Sequence, residues 1–253
     1  FSHFREIQYY FSDHVFTEKE RDILYNNRFH IIGHSKWTLQ LILSINWDSS
    51  DNISLRRSIL ELLEEKSSKI SCWEMMCTRS CCNTMQTEDI IIILSKKYTY
   101  APLIKFLVKQ LYDITTVELS CYLGYIVNLL TFYKNFSAIS DEIEQFLLSK
   151  STNNIPISNQ LFWTITQCLA NPDSYNYFCN LRIKLVKILP KNTYKLFQNG
   201  YDFTFNMVQL ASNSGNNLVQ NLVKHFKSYT FDNTGFYLPI NFNKSFQSID
   251  INK

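Results

Sequence analysis

Glycine and proline are scarce in this chain, with five of each among 253 residues. A β-sandwich or β-barrel needs many tight turns, where these two residues are favoured, so their scarcity favours a helical fold. Hydrophobic residues make up 45% of the chain and charged residues 19%, which is typical of a folded globular protein. This composition argues against intrinsic disorder.

Long apolar runs and a secretion signal are also missing from the sequence. The longest apolar runs fall well short of the roughly 18–20 residues that span a bilayer. No basic, apolar and small-residue pattern of a signal peptide opens the chain, and Phe1 is not an initiator methionine. We therefore expect a segment of a longer protein. The net charge of +3 is too small to indicate a nucleic-acid partner.

Acidic residues are nearly absent from one long stretch. Between Ser174 and Phe231 the only acid is Asp202. Two interpretations stay open: a solvated helix surface, or a surface that approaches anionic lipid, where each basic side chain contributes about 1 kcal/mol. The candidate membrane-facing residues are Arg182, Lys184, Lys187, Lys191 and Lys195.

Cysteine and histidine do not show the spacing of a metal site. The odd number of cysteines, seven, favours free thiols in the cytosol. Zinc sites usually pair cysteines two to four residues apart, whereas four clustered cysteines here have gaps of four, three and zero residues: Cys72, Cys77, Cys81 and Cys82. His30 and His34 lack a third ligand at useful spacing. We predict no catalytic, metal-binding or cofactor-binding residue in this segment.

Apolar residues recur at helical spacing along most of the chain. Thr17 and Glu20 have the spacing of a capping box and predict the start of a helix that runs to Gly33. Thr87, Pro102 and Thr116 predict three later helix starts, the first as the cap of a helix ending at Leu94. Other predicted helices cover 36–46, 53–65, 139–149, 157–169, 174–189, 193–212 and 216–228. In the helix over 53–65, Ile53 is expected on the apolar side and Arg56 on the polar side.

Short helices in antiparallel pairs predict an all-α fold, an irregular α-solenoid of the HEAT or armadillo kind. Residues 1–16 are aromatic-rich without a clear period, and we expect a connector that packs on the helices after it. The composition changes after Ser228, where Gly235, Pro239 and alternating apolar residues indicate strands and turns. The predicted organisation is a connector over 1–16, a helical domain over 17–228 and the start of a second domain over 229–253.

Several short motifs follow one another in an order found in one kinase family. They are Tyr25 and Arg28 in the first helix, Ser44-Ile45-Asn46-Trp47 after the second, Gln160-Leu161-Phe162-Trp163, and Leu238-Pro239-Ile240-Asn241. In residue type and spacing they resemble the helical accessory (PIK) domain of phosphatidylinositol 3- and 4-kinases, joined to the first strands of the kinase N-lobe. The 3-kinase branch is favoured. The chain departs from the family pattern at Tyr25, where Trp is common, at Ser158-Asn159 for Gly-His, and at Phe242 for Pro.

The resemblance implies a structural spine that positions the kinase lobes for ATP-dependent phosphorylation of inositol lipids at a membrane. It implies a cytoplasmic protein, peripheral to membranes, whose partners are its own kinase domain, a regulatory protein subunit and anionic lipid. ATP and Mg²⁺ are expected for the parent kinase and not for this segment. The implied structural residues are Tyr25, Arg28, Trp47, Trp163 and Pro239.

The catalytic motifs of a kinase are absent from the sequence. It contains no Asp-Phe-Gly, no His-Arg-Asp or Asp-Arg-His, and no glycine-rich phosphate loop, so this segment cannot itself transfer phosphate. We hypothesise that Arg28 forms an ion pair with Asp48 or Asp51. The alternative function is a non-catalytic α-solenoid scaffold for other proteins, although such a solenoid would end in a polar capping helix and not in strands.

Overall fold

The computed structural model describes residues 2–50, 53–68, 85–213, 220–221, 224, 236–238 and 241–246. Side chains are described for residues 5–50, 53–67, 85–212, 220–221 and 224. Through residue 213 the described chain is helices and short connections, so the predicted all-α class is confirmed there. The solenoid arrangement stays a prediction.

Twelve α-helices lie in the described residues. Their bounds are α1 Ser2–Ile7, α2 Glu18–Asn26, α3 Arg28–Ile31, α4 Ser35–Ser44, α5 Ile53–Ser68, α6 Thr87–Ser95, α7 Ala101–Leu111, α8 Thr116–Tyr133, α9 Ser137–Ser151, α10 Ile155–Cys168, α11 Tyr175–Ile188 and α12 Lys191–Asn213. A 3₁₀ turn, Pro172–Ser174, precedes α11. The helix predicted over 216–228 lies almost entirely outside the described residues.

The capping box at the start of α2 is present as predicted. Thr17 Oγ1 accepts from the Glu20 N–H at 3.4 Å, and Glu20 Oε2 accepts from the Thr17 N–H at 2.7 Å. The predicted helix to Gly33 is wrong, because Asn27 divides it into α2 and α3. The Asn27 side-chain amide donates to the Ile23 carbonyl at 2.8 Å and competes with the backbone ladder. Gly33 lies in the turn beyond, with a φ of +116° that favours glycine.

Two further boundaries differ from the sequence expectation. Thr87 is the first residue of α6 and not its cap; the N-cap position belongs to Gln86, whose N–H donates to Asp89 Oδ2 at 3.5 Å. The predicted connector contains the helix α1, which its aromatic-rich sequence does not signal. Pro102 and Thr116 do stand at the starts of α7 and α8.

The chain divides into two compact units. The first comprises residues 1–115 and 135–142, and the second comprises 116–134 and 143–253. In the first unit α2 packs on α4, α4 on α6, and α7 on both α5 and α6. Its core contains fully buried large side chains, among them Ile7, Leu24, Ile42, Trp47 and Ile59. Ile7 belongs to α1, so the connector contributes to this core.

In the second unit α10 is the central helix. It packs on α8, α11 and α12, and it buries Ile157, Leu161, Phe162 and Ile165. Two antiparallel strands, β1 Phe236–Leu238 and β2 Asn241–Phe246, pair with Phe236 opposite Phe246. Strand β1 lies against α12 and β2 against α10. Pro239 lies outside the described residues, and the assignment of these strands to a second domain stays a prediction.

Candidate functional site

Trp47 is the centre of a buried cluster in the first unit. Its indole is fully buried, and Nε1 donates to the Ile42 carbonyl at 2.8 Å. The Tyr100 ring stacks on the indole with centroids 5.8 Å apart. The Arg56 guanidinium lies 4.7 Å from the Tyr100 ring centroid, and its Nη1 donates to the Trp47 carbonyl. We call Trp47, Arg56 and Tyr100 the Trp47 cluster.

Hydrogen bonds beside the Trp47 cluster join the connection after α4 to the connection before α7. The Asp48 carboxylate accepts from both the backbone N–H and the hydroxyl of Thr99, each at 2.8 Å. Burial, together with the negative charge of Asp48, raises the pKa of the neighbouring Tyr98. The segment that follows α4 is therefore fixed to the segment that precedes α7.

The sequence expectation for Arg56 and Ile53 is wrong. Arg56 is only 7% exposed, whereas Ile53 is 61% exposed. A usable signal was present, because Arg56 lies three, four and seven residues before the buried Ile59, Leu60 and Leu63 and so shares their helix face. The Trp47 carbonyl and the Tyr100 ring compensate part of the cost of burying its guanidinium, while Nε has no hydrogen-bond partner among the described residues.

Tyr25 and Arg28 meet at the junction of α2 and α3. The Arg28 guanidinium lies 4.0 Å from the Tyr25 ring centroid and 4.4 Å from that of Phe29, and Nη1 donates to the Tyr25 carbonyl at 2.8 Å. The hypothesised ion pair with Asp48 is wrong, since no such pair exists among the described side chains and Asp48 binds Thr99. Asp51 lies outside the described residues.

A cleft of about 280 Å³ beside Tyr25 brings two of the sequence motifs together. Tyr25 from α2 and Asn46 from the connection after α4 both line it, with Leu55 from α5. These residues are distant in sequence, and their shared cleft shows that the first two motifs belong to one packing arrangement.

Trp163 belongs to a second aromatic cluster, in the second unit. Its ring lies 6.1 Å from Tyr201 of α12, and the adjacent Phe162 ring lies 5.7 Å from Phe197. The Arg182 guanidinium lies 4.7 Å from the Phe162 ring centroid and 5.1 Å from that of Tyr201. We call Phe162, Trp163, Arg182 and Tyr201 the Trp163 cluster. It joins α10, α11 and α12.

Both clusters lie within or beside a stretch that matches a known family. The sequence model of the phosphoinositide 3-kinase family accessory domain (PIK domain) matches residues 12–198 of the 253-residue chain. The chain belongs to the PIK domain family. The predicted family is thereby confirmed, while the preference for the 3-kinase branch stays a prediction. Among curated proteins nothing matches the chain.

The five basic residues singled out in the sequence occupy different surroundings in this PIK domain. The Arg182 guanidinium contacts the Phe162 and Tyr201 rings of the Trp163 cluster. Lys184 is ion-paired with Glu144 of α9 at 2.5 Å, and that carboxylate is buried. Lys187, Lys191 and Lys195 lie at the surface to differing extents. Two of the five cations therefore hold helices together, and three stand at the surface.

A marked electrostatic perturbation lies near the start of the PIK domain, at Glu20. Glu20 is 4% exposed and accepts hydrogen bonds from Tyr10 Oη at 3.0 Å, His14 Nε2 at 3.4 Å and Thr17. Burial alone would raise the pKa of Glu20, but the donors from Thr17, Tyr10 and His14 outweigh it and lower the pKa to about 2. The ionised Glu20 therefore ties the connector to α2. Gln40 adds a bond by donating to the Tyr10 carbonyl at 2.8 Å.

Neither a metal cluster nor a membrane span is found in the part of the chain that the structure describes. No three His, Cys, Asp or Glu side chains there are grouped as metal ligands. The four clustered cysteines lie outside the described residues. Cys121, Cys168 and Cys179 are free thiols, and burial raises the pKa of Cys168. Of the described helices, none has the length and apolar character to cross a membrane.

Proposed function

We propose that this PIK domain is the structural spine of a phosphatidylinositol 3-kinase-like enzyme, and that it positions the kinase lobes for ATP-dependent phosphorylation of inositol lipids at a membrane surface. The observation that carries the proposal is the PIK match over residues 12–198, followed in the same chain by the antiparallel strands β1 and β2. ATP and Mg²⁺ would be bound by the kinase lobes. The protein would work in the cytoplasm, peripheral to membranes, together with a regulatory subunit.

A structural spine must be rigid, and each compact unit contains a cluster of aromatic and arginine side chains that stabilises it. The Trp47 cluster fixes the connection after α4 to the one before α7. The Trp163 cluster joins three helices through one guanidinium that contacts two rings. Aromatic pairs and cation–π contacts each contribute about 0.5–2 kcal/mol beyond simple burial, so these clusters resist local opening.

The position of the strands supports the same proposal. Strand β1 packs on α12 and β2 packs on α10, the two helices that also contribute Tyr201 and Trp163 to the Trp163 cluster. A sheet that starts on this part of the second unit would be held by helices that the cluster already joins. Any domain that continues from β2 would be attached to the second unit through α10 and α12.

The decisive experiment is to read the coding sequence beyond Lys253. The proposal expects a strand lysine, then a catalytic Asp-Arg-His and an Asp-Phe-Gly, which are the groups that phosphoryl transfer needs. The extended protein should then phosphorylate an inositol lipid in a radiolabelled-ATP assay, and should lose that activity when the Asp of its Asp-Phe-Gly is replaced by Asn. A stop codon or an unrelated continuation would overturn the proposal in favour of a non-catalytic scaffold.

A further inference from the structure

Helix α11 has an outward face that combines lysine with isoleucine. The helix buries Phe178, Leu181 and Leu185 against its neighbours. At about 100° per residue, the opposite face carries Ile183 and Lys187. Ile183 is 47% exposed. Ile188 is 37% exposed, but it lies about 140° around the helix from Ile183, on the side of the buried Leu181.

Charge of one sign dominates this surface. The sequence of α11 from Tyr175 to Ile188 contains no acid, and the next acid along the chain is Asp202 in α12. The acid that approaches from a neighbouring helix, Glu144, is neutralised by Lys184. Lys187 and Lys191 are exposed, and neither is ion-paired among the described side chains. A solvated protein surface usually mixes both signs of charge, whereas this one does not.

We propose that the α11 face, defined as Ile183 and Lys187 of α11 with Lys191 at the start of α12, is a docking surface for an anionic lipid bilayer. Lysine stems place their ammonium groups at the level of lipid phosphates, while neighbouring aliphatic side chains enter the headgroup boundary. The α11 face supplies both kinds of side chain from one helix and the first residue of the next. An acidic protein would also attract the lysines, but it would leave the exposed Ile183 without a role.

This inference deepens the proposed function by naming the surface that would approach the membrane, and it rests on that proposal for its biological context only. Vesicle binding by the present chain requires no kinase lobe. A coding sequence that lacks kinase motifs would overturn the proposed function and leave the vesicle result unchanged.

The test is co-sedimentation of the 253-residue chain with phosphatidylserine–phosphatidylcholine vesicles and with phosphatidylcholine vesicles. We expect binding to the anionic vesicles that weakens as salt is added. Because each basic side chain near the surface contributes about fivefold (about 1 kcal/mol), the double variant Lys187→Gln/Lys191→Gln should weaken binding about 25-fold. Ile183→Ser should weaken it as well, without changing its salt dependence.

A matched control separates the α11 face from net charge. Lys19→Gln/Lys105→Gln removes the same charge from exposed lysines in α2 and α7 and should weaken binding much less. All the substituted lysines are exposed, so melting temperatures should stay unchanged. Equal losses in the two double variants would overturn the proposal, and so would equal binding to neutral and anionic vesicles. The absence of binding by the unmodified chain would also overturn it and would redirect attention to an acidic protein partner.

Discussion

Arg56 and Arg57 are adjacent in α5, yet they have opposite surroundings. Arg56 is 7% exposed, donates to the Trp47 carbonyl and lies 4.7 Å from the Tyr100 ring centroid. The Arg57 side chain is 79% exposed and pairs with Glu61 at 2.9 Å, one helical turn away. Replacing each in turn by alanine therefore compares a buried guanidinium with a solvated one, in the same helix, at nearly the same position and with the same change of charge.

The two substitutions should differ by several kcal/mol in the free energy of unfolding. Arg56→Ala removes a charge-assisted hydrogen bond worth about 1.5–3 kcal/mol and a cation–π contact worth about 0.5–2 kcal/mol. It also leaves a buried carbonyl without its donor and a space beside Tyr100. The loss is reduced because a buried guanidinium no longer has to be desolvated. We expect Arg56→Ala to cost about 2–4 kcal/mol, and Arg57→Ala about 0.3–0.5 kcal/mol, as for other exposed helix pairs.

Thermal melts followed by circular dichroism give the comparison. For a chain of this size about 1 kcal/mol moves the melting temperature by roughly 2–4 °C, so Arg56→Ala should lower it by about 4–16 °C and Arg57→Ala by less than about 2 °C. A double-mutant cycle of Arg56→Met with Tyr100→Leu should show coupling of about 0.5–2 kcal/mol. Equal melts for the two alanine variants would refute the assigned role of Arg56, and a coupling of zero would refute the contact with Tyr100.

Contacts elsewhere in the chain give three further predictions. The pKa of Glu20 is lowered to about 2 from 4.5, so the stability that its ionised form contributes is complete above about pH 5 and is lost as pH falls through 2. After allowance for solvent screening, ionised Glu20 contributes about 1–2 kcal/mol of stability. The melting temperatures of Glu20→Gln and the unmodified chain should therefore lie closer together at pH 3 than at pH 6. A difference that does not change with pH would contradict this prediction. Arg28→Ala should lower the melting temperature by about 2–6 °C by removing the bond to the Tyr25 carbonyl, and an unchanged melt would count against that bond. Cys121 should react with a thiol reagent at pH 8 faster than Cys168, because burial raises the pKa of the Cys168 thiol. Mass spectrometry of the labelled Cys121→Ser and Cys168→Ser variants measures the two rates, and equal rates would contradict the prediction.

Features set by neighbours in sequence were predictable. The capping box of Thr17 and Glu20 depends on residues three apart, and Pro102 fits only the first turn of a helix. The helical fold class is predictable from periodicity in the same way. The break at Asn27 was missed because an amide side chain competes with the backbone there, which apolar spacing does not record.

Partners distant in sequence were not predictable. The predicted ion pair of Arg28 with Asp48 is wrong because Asp48 binds Thr99, which is 51 residues away from it in the chain. Likewise, the basic composition around Arg182 gave no indication that this guanidinium would contact the rings of Phe162 and Tyr201. Such contacts depend on which helices pack together, and a single sequence does not specify that packing.

Three arginines of this PIK domain occupy sites that suit the chemistry of a guanidinium. Arg28, Arg56 and Arg182 each place a guanidinium against an aromatic ring, and each joins segments of one compact unit. A guanidinium is planar and weakly hydrated, so it can stack on a ring and lose water at little cost, whereas an ammonium is strongly hydrated. Lys187 and Lys191 accordingly stand in solvent. A lysine at position 56 or 182 would keep the positive charge but lose the stacking on the aromatic ring. Arginine and lysine are therefore not interchangeable at these two positions. The same division leaves the lysines of the α11 face available for an external partner.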